Sequence, residues 1–93
     1  MDTRSSVVEL LEARSEDRPD HVALVDSSRS MTFLELYRIT TQTCSALIHL
    51  GVSKGDRIGV CMSKSIEQVI ALIAILRAGA IAVPILPSLK RDN

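Results

Sequence analysis

A chain of 93 residues is long enough for one small domain, and 46% hydrophobic residues with a formal net charge of zero support an apolar core. These values exclude an intrinsically disordered chain, which combines low hydrophobicity with high net charge. Eleven basic and eleven acidic residues also argue against nucleic-acid binding, which needs a surplus of Lys and Arg. Aromatic residues make up only 2% of the chain, so we expect an aliphatic core.

Compartment and membrane signals are weak in this sequence. The N-terminus carries no secretory signal pattern, and the two cysteines, Cys44 and Cys61, lie inside apolar periodic segments. These features predict a reduced, cytoplasmic protein. The most membrane-like stretch, residues 69–89, is interrupted by Arg77, by Gly79 and by two prolines, so we predict no membrane span.

The first predicted element is a helix over about residues 7–16. Ser6 and Glu9 have the spacing of a capping box, which satisfies two free N–H groups at a helix start. Aliphatic residues at positions 7, 8, 10 and 11 supply an apolar stripe. Residues 18–20, Arg-Pro-Asp, are expected to end the helix.

A β-hairpin is predicted next. Residues 21–26, His-Val-Ala-Leu-Val-Asp, are rich in side chains that favour strands. Residues 27–30 are three serines and an arginine, which is typical of a turn. Residues 31–33, Met-Thr-Phe, then resume an extended run.

A second, amphipathic helix is predicted between Thr32 and Leu50. Thr32 and Glu35 form another capping-box pair, and apolar or small side chains recur on one face at helical spacing. Gly51 is typical of the left-handed residue that ends a helix. Val52 follows where a Schellman motif places an apolar contact.

The last part of the chain predicts a strand, a helix and a strand. Residues 53–56 form a turn into a strand over residues 57–62. Ser65 and Gln68 are a third capping pair, which starts a helix that runs to about Ala78. Gly79 ends this helix, and residues 81–85 form the next strand. The spacing predicts a βαβ unit with parallel strands, and hence an α/β fold with an N-terminal helix, a β-hairpin, a helix and this unit.

This arrangement predicts an incomplete domain. Residues 69–76 are apolar without a break, which requires burial on most sides of the helix, and a parallel sheet needs cover on both faces. Pro84 in the last strand is tolerated only at an edge, a strand start or a bulge. We therefore expect residues 1–93 to be one partial domain within a larger three-layer α/β domain. Its expected partner is the remainder of that domain or a self-associating copy.

Two short segments invite a phosphate-binding interpretation. Residues 51–57, Gly-Val-Ser-Lys-Gly-Asp-Arg, match neither common glycine-rich phosphate motif and precede a strand, which favours a plain turn. Ser63, Lys64 and Ser65 open a helix, where N–H groups attract anions. No glycine there lets the backbone approach a phosphate closely, so capping by Ser65 is the favoured interpretation.

The sequence shows no motif for catalysis or metal binding. Its cysteines, Cys44 and Cys61, and its histidines, His21 and His49, lack the paired short spacing of zinc sites. His49 is expected near the carbonyls at the end of the second helix. No Ser-His-Asp or Cys-His arrangement can be placed from spacing. We predict no catalytic, cofactor-binding or metal-binding residue, and no cofactor held by this chain itself.

Three stretches carry a family resemblance. They are residues 31–36 (Met-Thr-Phe-Leu-Glu-Leu), 50–58 (Leu-Gly-Val-Ser-Lys-Gly-Asp-Arg-Ile) and 75–84 (Ile-Leu-Arg-Ala-Gly-Ala-Ile-Ala-Val-Pro). In order and spacing they resemble the start of the AMP-forming adenylating enzymes, which include acyl-CoA synthetases, adenylation domains of nonribosomal peptide synthetases, and luciferases. The first stretch resembles the family's Thr-Tyr-x-Glu-Leu motif with Phe33 for Tyr. The third resembles Leu-Lys-Ala-Gly-Ala-x-x-Val-Pro with Arg77 for Lys.

The resemblance implies a chemistry for the complete family domain. Its members use ATP and Mg²⁺ to convert a carboxylate into an acyl-adenylate, and a thiol of CoA or of a phosphopantetheine arm then takes the acyl group. The family's phosphate loop, Thr-Glu pair, ribose-binding Asp and C-terminal Lys have no counterpart in these 93 residues. The resemblance therefore implies the N-terminal fragment of a ligase, inactive alone. Its matched motifs serve capping at Thr32 and Glu35 and close packing around Gly79.

Residues 81–87 bear on the substrate. Peptide-synthetase domains usually read Ala-Tyr-Val-Pro followed by an acidic or polar pair, whereas this chain reads Ile-Ala-Val-Pro-Ile-Leu-Pro. This departure favours an acyl-CoA or aryl-CoA ligase over an enzyme that activates an amino acid. Two other hypotheses stay open: a stand-alone interaction or regulatory module derived from such an enzyme, and an unrelated small βαβ nucleotide binder.

Overall fold

The computed structural model describes residues 3–61 and 65–85, with side chains from residue 7 onward. Within these ranges the elements follow in the order α1 (Thr3–Asp17), β1 (Val22–Val25), β2 (Ser30–Thr32), α2 (Phe33–His49), β3 (Arg57–Cys61), α3 (Ile66–Arg77) and β4 (Ile81–Ile85). β1 and β2 pair antiparallel, and β3 and β4 form a separate parallel pair. The predicted α/β order of helix, hairpin, helix and βαβ unit is confirmed.

Helix α1 begins earlier than the sequence predicts. It starts at Thr3 instead of residue 7, so Ser6 lies inside the helix and the predicted capping role of Ser6 is wrong. No Gly or Pro occurs between Thr3 and Ser6 to stop the helix, and serine lowers helix stability only slightly within a helix. The other end agrees with the prediction, because α1 stops at Asp17 shortly before Pro19.

Helix α2 has the predicted capping box at its start. The hydroxyl of Thr32 accepts a hydrogen bond from the N–H of Glu35 at 3.1 Å, and the Glu35 carboxylate accepts one from the N–H of Thr32 at 2.8 Å. Phe33 is the first residue of this helix and not the last of a strand. These two bonds satisfy donors that a helix start would otherwise leave unpaired.

Glycines in the left-handed region end both α2 and α3. Gly51 has φ 103° and Gly79 has φ 79°. After Gly51 the N–H of Val52 donates to the carbonyl of Leu47 at 3.0 Å, and the equivalent bond after Gly79 measures 3.1 Å. This is the Schellman arrangement, so both predicted helix ends are confirmed.

Helix α3 lies at the centre of the packing. Leu11 of α1 and Leu36 of α2 form one buried cluster with Ile73, and Val60 of β3 forms another with Ile75. Of the twelve residues of α3 only Glu67 is exposed, as expected for an apolar helix that must be buried on most sides. Burying each such aliphatic side chain contributes about 1.5–3 kcal/mol.

Candidate functional site

The side chain of Asp26 links the hairpin turn to α3. Its carboxylate accepts hydrogen bonds from the N–H groups of Ser28 at 2.9 Å, Arg29 at 3.0 Å and Ile66 at 3.2 Å. These bonds favour the ionised form, the one from Ser28 most, and lower the pKa of Asp26 from 3.8 to about 2. The carboxylate therefore joins segments that lie 40 residues apart in the chain.

Sequence reasoning placed a turn at residues 27–30 but did not identify Asp26 as its organising residue. The signal was present, because an Asp two residues before a backbone N–H that it can reach is typical of an Asx turn. Its contact with Ile66 has no such local signal. Only the tertiary fold brings these two residues together.

The N-terminus of α3 is where the sequence suggested an anion site. Ser63 and Lys64 of that motif lie outside the described residues. The hydroxyl of Ser65 accepts a hydrogen bond from the N–H of Gln68 at 3.2 Å, so the favoured capping interpretation is confirmed. The N–H of Ile66 already donates to Asp26. Because a helix N-terminus carries partial positive charge, a carboxylate of the chain itself lies where an external anion would bind.

Three N–H groups of the turn at residues 53–56 donate hydrogen bonds within the chain. Ser53 donates to the Asp56 carboxylate at 2.7 Å, Asp56 donates to the Ser53 carbonyl at 3.0 Å, and Gly55 donates to the Gly79 carbonyl at 2.8 Å. A Cβ atom added to Gly79 would lie 3.4 Å from Cγ of Lys54. The segment is therefore a turn, as predicted, and the bond from Gly55 holds it against the α3–β4 connection.

The structure places His49 and the two cysteines, which were considered as metal ligands, in positions that do not form a metal site. Nδ1 of His49 donates to the carbonyl of Ser45 at 2.9 Å, as expected for a histidine at a helix C-terminus. Cys44 is half-buried and Cys61 is exposed, and both are free thiols. Among residues 3–61 and 65–85 no group of three or more His, Cys, Asp or Glu residues could hold a metal ion. The predicted absence of catalytic and cofactor-binding residues stays a prediction.

The described helices also test the prediction that the chain has no membrane span. None of the helices described in residues 3–61 and 65–85 is both long and apolar enough to cross a bilayer. The longest of them, α2, has 17 residues. It falls short of the roughly 20 apolar residues that a span requires.

Arg77 takes the place of the Lys in the resembled motif. Its guanidinium lies over the ring of Tyr37, 4.8 Å from the centroid, which is within cation–π range. Its Nη1 atom is buried and has no hydrogen-bond partner among the described residues. Arg77 thus joins the end of α3 to α2, which is a packing role.

Among the residues that the structure describes, other elements cover the β3–β4 sheet on one face only. Val60 and Ala82 point to the helices and pack in the cluster around α3. The opposite face, called the bare face below, carries the alternate residues of both strands: Arg57, Gly59, Cys61, Ile81, Val83 and Ile85. The three aliphatic side chains of β4 on this face are 47%, 38% and 51% exposed. Because parallel sheets are normally covered on both faces, the bare face indicates a surface that is buried in a larger domain.

Comparisons of this chain with a family model and with known sequences agree on one family. The family model described as AMP-binding enzyme matches residues 11–93. The chain is similar to tyrocidine synthase 1 of Brevibacillus parabrevis, with 42% identity over 88 residues that make up 95% of this chain and 8% of that protein. It is also similar to bacitracin synthase 1 of Bacillus licheniformis, with 37% identity over 91% of this chain and 2% of that protein. The chain thus spans less than a tenth of the length of these relatives.

Solved structures share the fold. The N-terminal subdomain of NpsA from Klebsiella oxytoca superposes with a TM-score of 0.80 and 29% identity, over 86% of this chain and 21% of that chain. VinN superposes with a TM-score of 0.86 and 27% identity, over 90% and 22% of the two chains. The fatty acid AMP ligase of Legionella pneumophila has the same fold at 24% identity, with a TM-score of 0.82 over 91% and 16%. The described residues therefore correspond to part of a larger α/β domain.

Proposed function

This chain belongs to the AMP-binding enzyme family, and we propose that it forms the opening part of a domain that activates a carboxylic acid with ATP. The observation that carries the proposal is the family match over residues 11–93, which coincides with a fold shared with the N-terminal subdomain of NpsA. The three stretches that resemble the adenylating enzymes fall inside this match. In the complete domain the acid would become an acyl-adenylate, and a thiol of CoA or phosphopantetheine would take the acyl group.

Within such a domain the chain supplies scaffold and not reacting groups. Its turns and helix ends are closed by their own hydrogen bonds, as at Thr32, Gly51 and Gly79. The positive end of α3 faces Asp26, so it is not free to hold a phosphate. ATP, Mg²⁺ and the thiol acceptor would then bind to parts of the domain outside these 93 residues, and the whole would work in the cytoplasm.

Two substrate classes are supported by different observations. The sequence around Pro84 departs from the peptide-synthetase pattern and favours an acyl or aryl acid. The relatives favour an amino acid as the second candidate, because a further similar protein, of Aspergillus fumigatus, is named nonribosomal peptide synthetase 8. Among the solved structures, NpsA was determined with anthranilyl-AMSN and VinN with L-aspartate. These ligands belong to those proteins, and both carry a carboxylic acid or a group derived from one.

The scaffold role is tested by ATP–pyrophosphate exchange with the purified 93-residue chain. A panel of fatty, aryl and amino acids is assayed beside tyrocidine synthase 1 as the active control. We expect exchange at the level of buffer alone for every acid. Exchange above that level, dependent on one acid, would show that the reacting groups lie in this chain and would overturn the assignment of scaffold.

The regulatory alternative makes a different prediction. A stand-alone module would be well folded and would form a stoichiometric complex with a full-length relative through the bare face. Light scattering after gel filtration of the mixture distinguishes the two. A scaffold cut from its domain is expected to self-associate without fixed stoichiometry, since its apolar strand β4 is open to solvent.

A further inference from the structure

Two clusters of buried side chains share helix α3. Leu11, Leu36 and Ile73 join α1, α2 and α3 in the first cluster, against which the hairpin also packs. Val60 and Ile75 belong to the second cluster, which joins β3 and β4 to α3. Below, α1, the hairpin, α2 and α3 are called the helical unit, and β3 with β4 is called the strand pair.

Polar contacts reinforce the packing of the helical unit. The Asp26 carboxylate accepts a hydrogen bond from the N–H of Ile66 at 3.2 Å. The guanidinium of Arg29, in the same turn, pairs with the carboxylate of Glu67. Both contacts hold the tip of the hairpin on the first turn of α3. The hairpin is therefore fixed at its turn as well as in the first cluster.

The strand pair is held less firmly. Of the residues of its two strands only Val60 is buried, and most are exposed. Two strands are too few for a sheet to be stable by itself, so the pair depends on its packing against α3. That packing comes from one face of the pair, through Ile58, Val60 and Ala82.

We propose that the strand pair opens and closes as a cooperative unit of its own while the helical unit stays folded. Opening breaks the second cluster, and the contacts among Leu11, Leu36 and Ile73 remain. The reverse order is not available, because unfolding of the helical unit removes α3, on which the strand pair rests. Small domains commonly open in part, beginning with the segments that bury the least apolar surface.

This equilibrium bears on the bare face, which exists only while the strand pair is closed. A group that covers the bare face binds the closed form alone and therefore shifts the equilibrium towards it. In the proposed complete domain the rest of the domain supplies the cover, so the strand pair would close as the domain is completed. This consequence rests on the proposed function, whereas the two units rest on the packing of this chain.

Amide hydrogen exchange of the 93-residue chain, read at single residues by NMR, tests the proposal. The N–H of Ile81 donates to the carbonyl of Asp56 at 2.7 Å, which sets the phase of the parallel ladder. In this phase Ile58 and Val60 donate to β4. We expect their amides, corrected for intrinsic rates, to exchange at least about tenfold faster than interior amides of α2 and α3. Equal protection of strand and helix amides would overturn the proposal.

Two matched variants separate opening of the strand pair from unfolding of the whole chain. Ile73→Val and Ile75→Val each remove one methylene group from a buried position of α3, one in each cluster. Ile73→Val weakens the closed and the open form alike. It should therefore speed exchange of the helix amides by roughly 3- to 10-fold and leave the strand amides unchanged. Ile75→Val weakens the closed form more than the open form, so it should speed exchange of both sets.

Two results with these variants would contradict the proposal. If Ile73→Val sped exchange of strand and helix amides by the same factor, the chain would unfold as one unit. If Ile75→Val left the strand amides unchanged, those amides would exchange by fraying of single residues and not by opening of the strand pair. Both variants keep a β-branched aliphatic side chain, and circular dichroism checks that each is as helical as the parent.

Discussion

Replacing Gly79 by alanine tests the helix end that leads into β4. Gly79 has φ 79°, in the left-handed region where an L-residue costs about 1–2 kcal/mol. A Cβ atom added there would meet Cγ of Lys54 at 3.4 Å, which is ordinary contact, so the backbone conformation supplies most of the loss. Gly51→Ala is the matched control, because Gly51 has φ 103° and nothing within 4 Å of an added Cβ.

The assay is urea unfolding followed by circular dichroism, supported by thermal melting. Both variants should lose about 1–2 kcal/mol of unfolding free energy, and in a chain of this size each kcal/mol lowers the melting temperature by roughly 4–8 °C. The two losses should be similar. A Gly79→Ala variant as stable as the parent would refute the left-handed helix end. A loss several times that of Gly51→Ala would show that tight packing against Lys54, and not φ, selects this glycine.

Three other predictions concern the hydrogen bonds and the core packing that hold the hairpin, α2 and α3. Since the pKa of Asp26 is lowered from 3.8 to about 2, the stability it contributes is present above pH 3.8 and is lost as the pH falls towards 2. In unfolding measurements, Asp26→Asn should weaken the fall of the unfolding free energy between pH 3.8 and 2. Asp20→Asn, at an exposed position, should leave this fall unchanged. Thr32→Ala removes the capping box and should cost about 1 kcal/mol by urea unfolding, whereas Thr41→Ala on the exposed face of α2 should cost less. Ile66 is 2% exposed. Its change to alanine should lower the free energy of unfolding by about 2–5 kcal/mol, and its change to valine should lower it by about 0.5–1.5 kcal/mol. Equal losses for the two Ile66 variants would contradict its place in the core.

Local sequence signals predicted most of the fold. Thr32 with Glu35 marked the start of α2, Gly51 marked its end, and Ser65 marked the start of α3, because caps are local features that depend on a few adjacent residues. The same kind of signal failed at Ser6. A capping-box spacing permits a helix start but does not require one, and nothing in the preceding residues stops the helix from extending to Thr3.

Contacts between distant segments could not be predicted in this way. The bond from Ile66 to Asp26 joins residues 40 positions apart, and the Arg77–Tyr37 contact likewise depends on how α3 lies against α2. The set of residues that share the bare face likewise follows from the register of β3 with β4, which periodicity alone does not supply. Sequence did predict that the sheet lacks cover, because residues 69–76 are too apolar for so small a set of elements.

The central claim is tested most directly with a grafted domain, in which residues 11–93 replace the matching segment of tyrocidine synthase 1. The measurement is ATP–pyrophosphate exchange by this graft. If residues 11–93 form the opening part of an adenylating domain, the graft should fold and should catalyse exchange with the same acid preference as unmodified tyrocidine synthase 1. Its rate should stay within about tenfold of the parent rate, a barrier difference of about 1.4 kcal/mol. A soluble graft with the parent's circular dichroism spectrum and melting temperature but no exchange would contradict the claim.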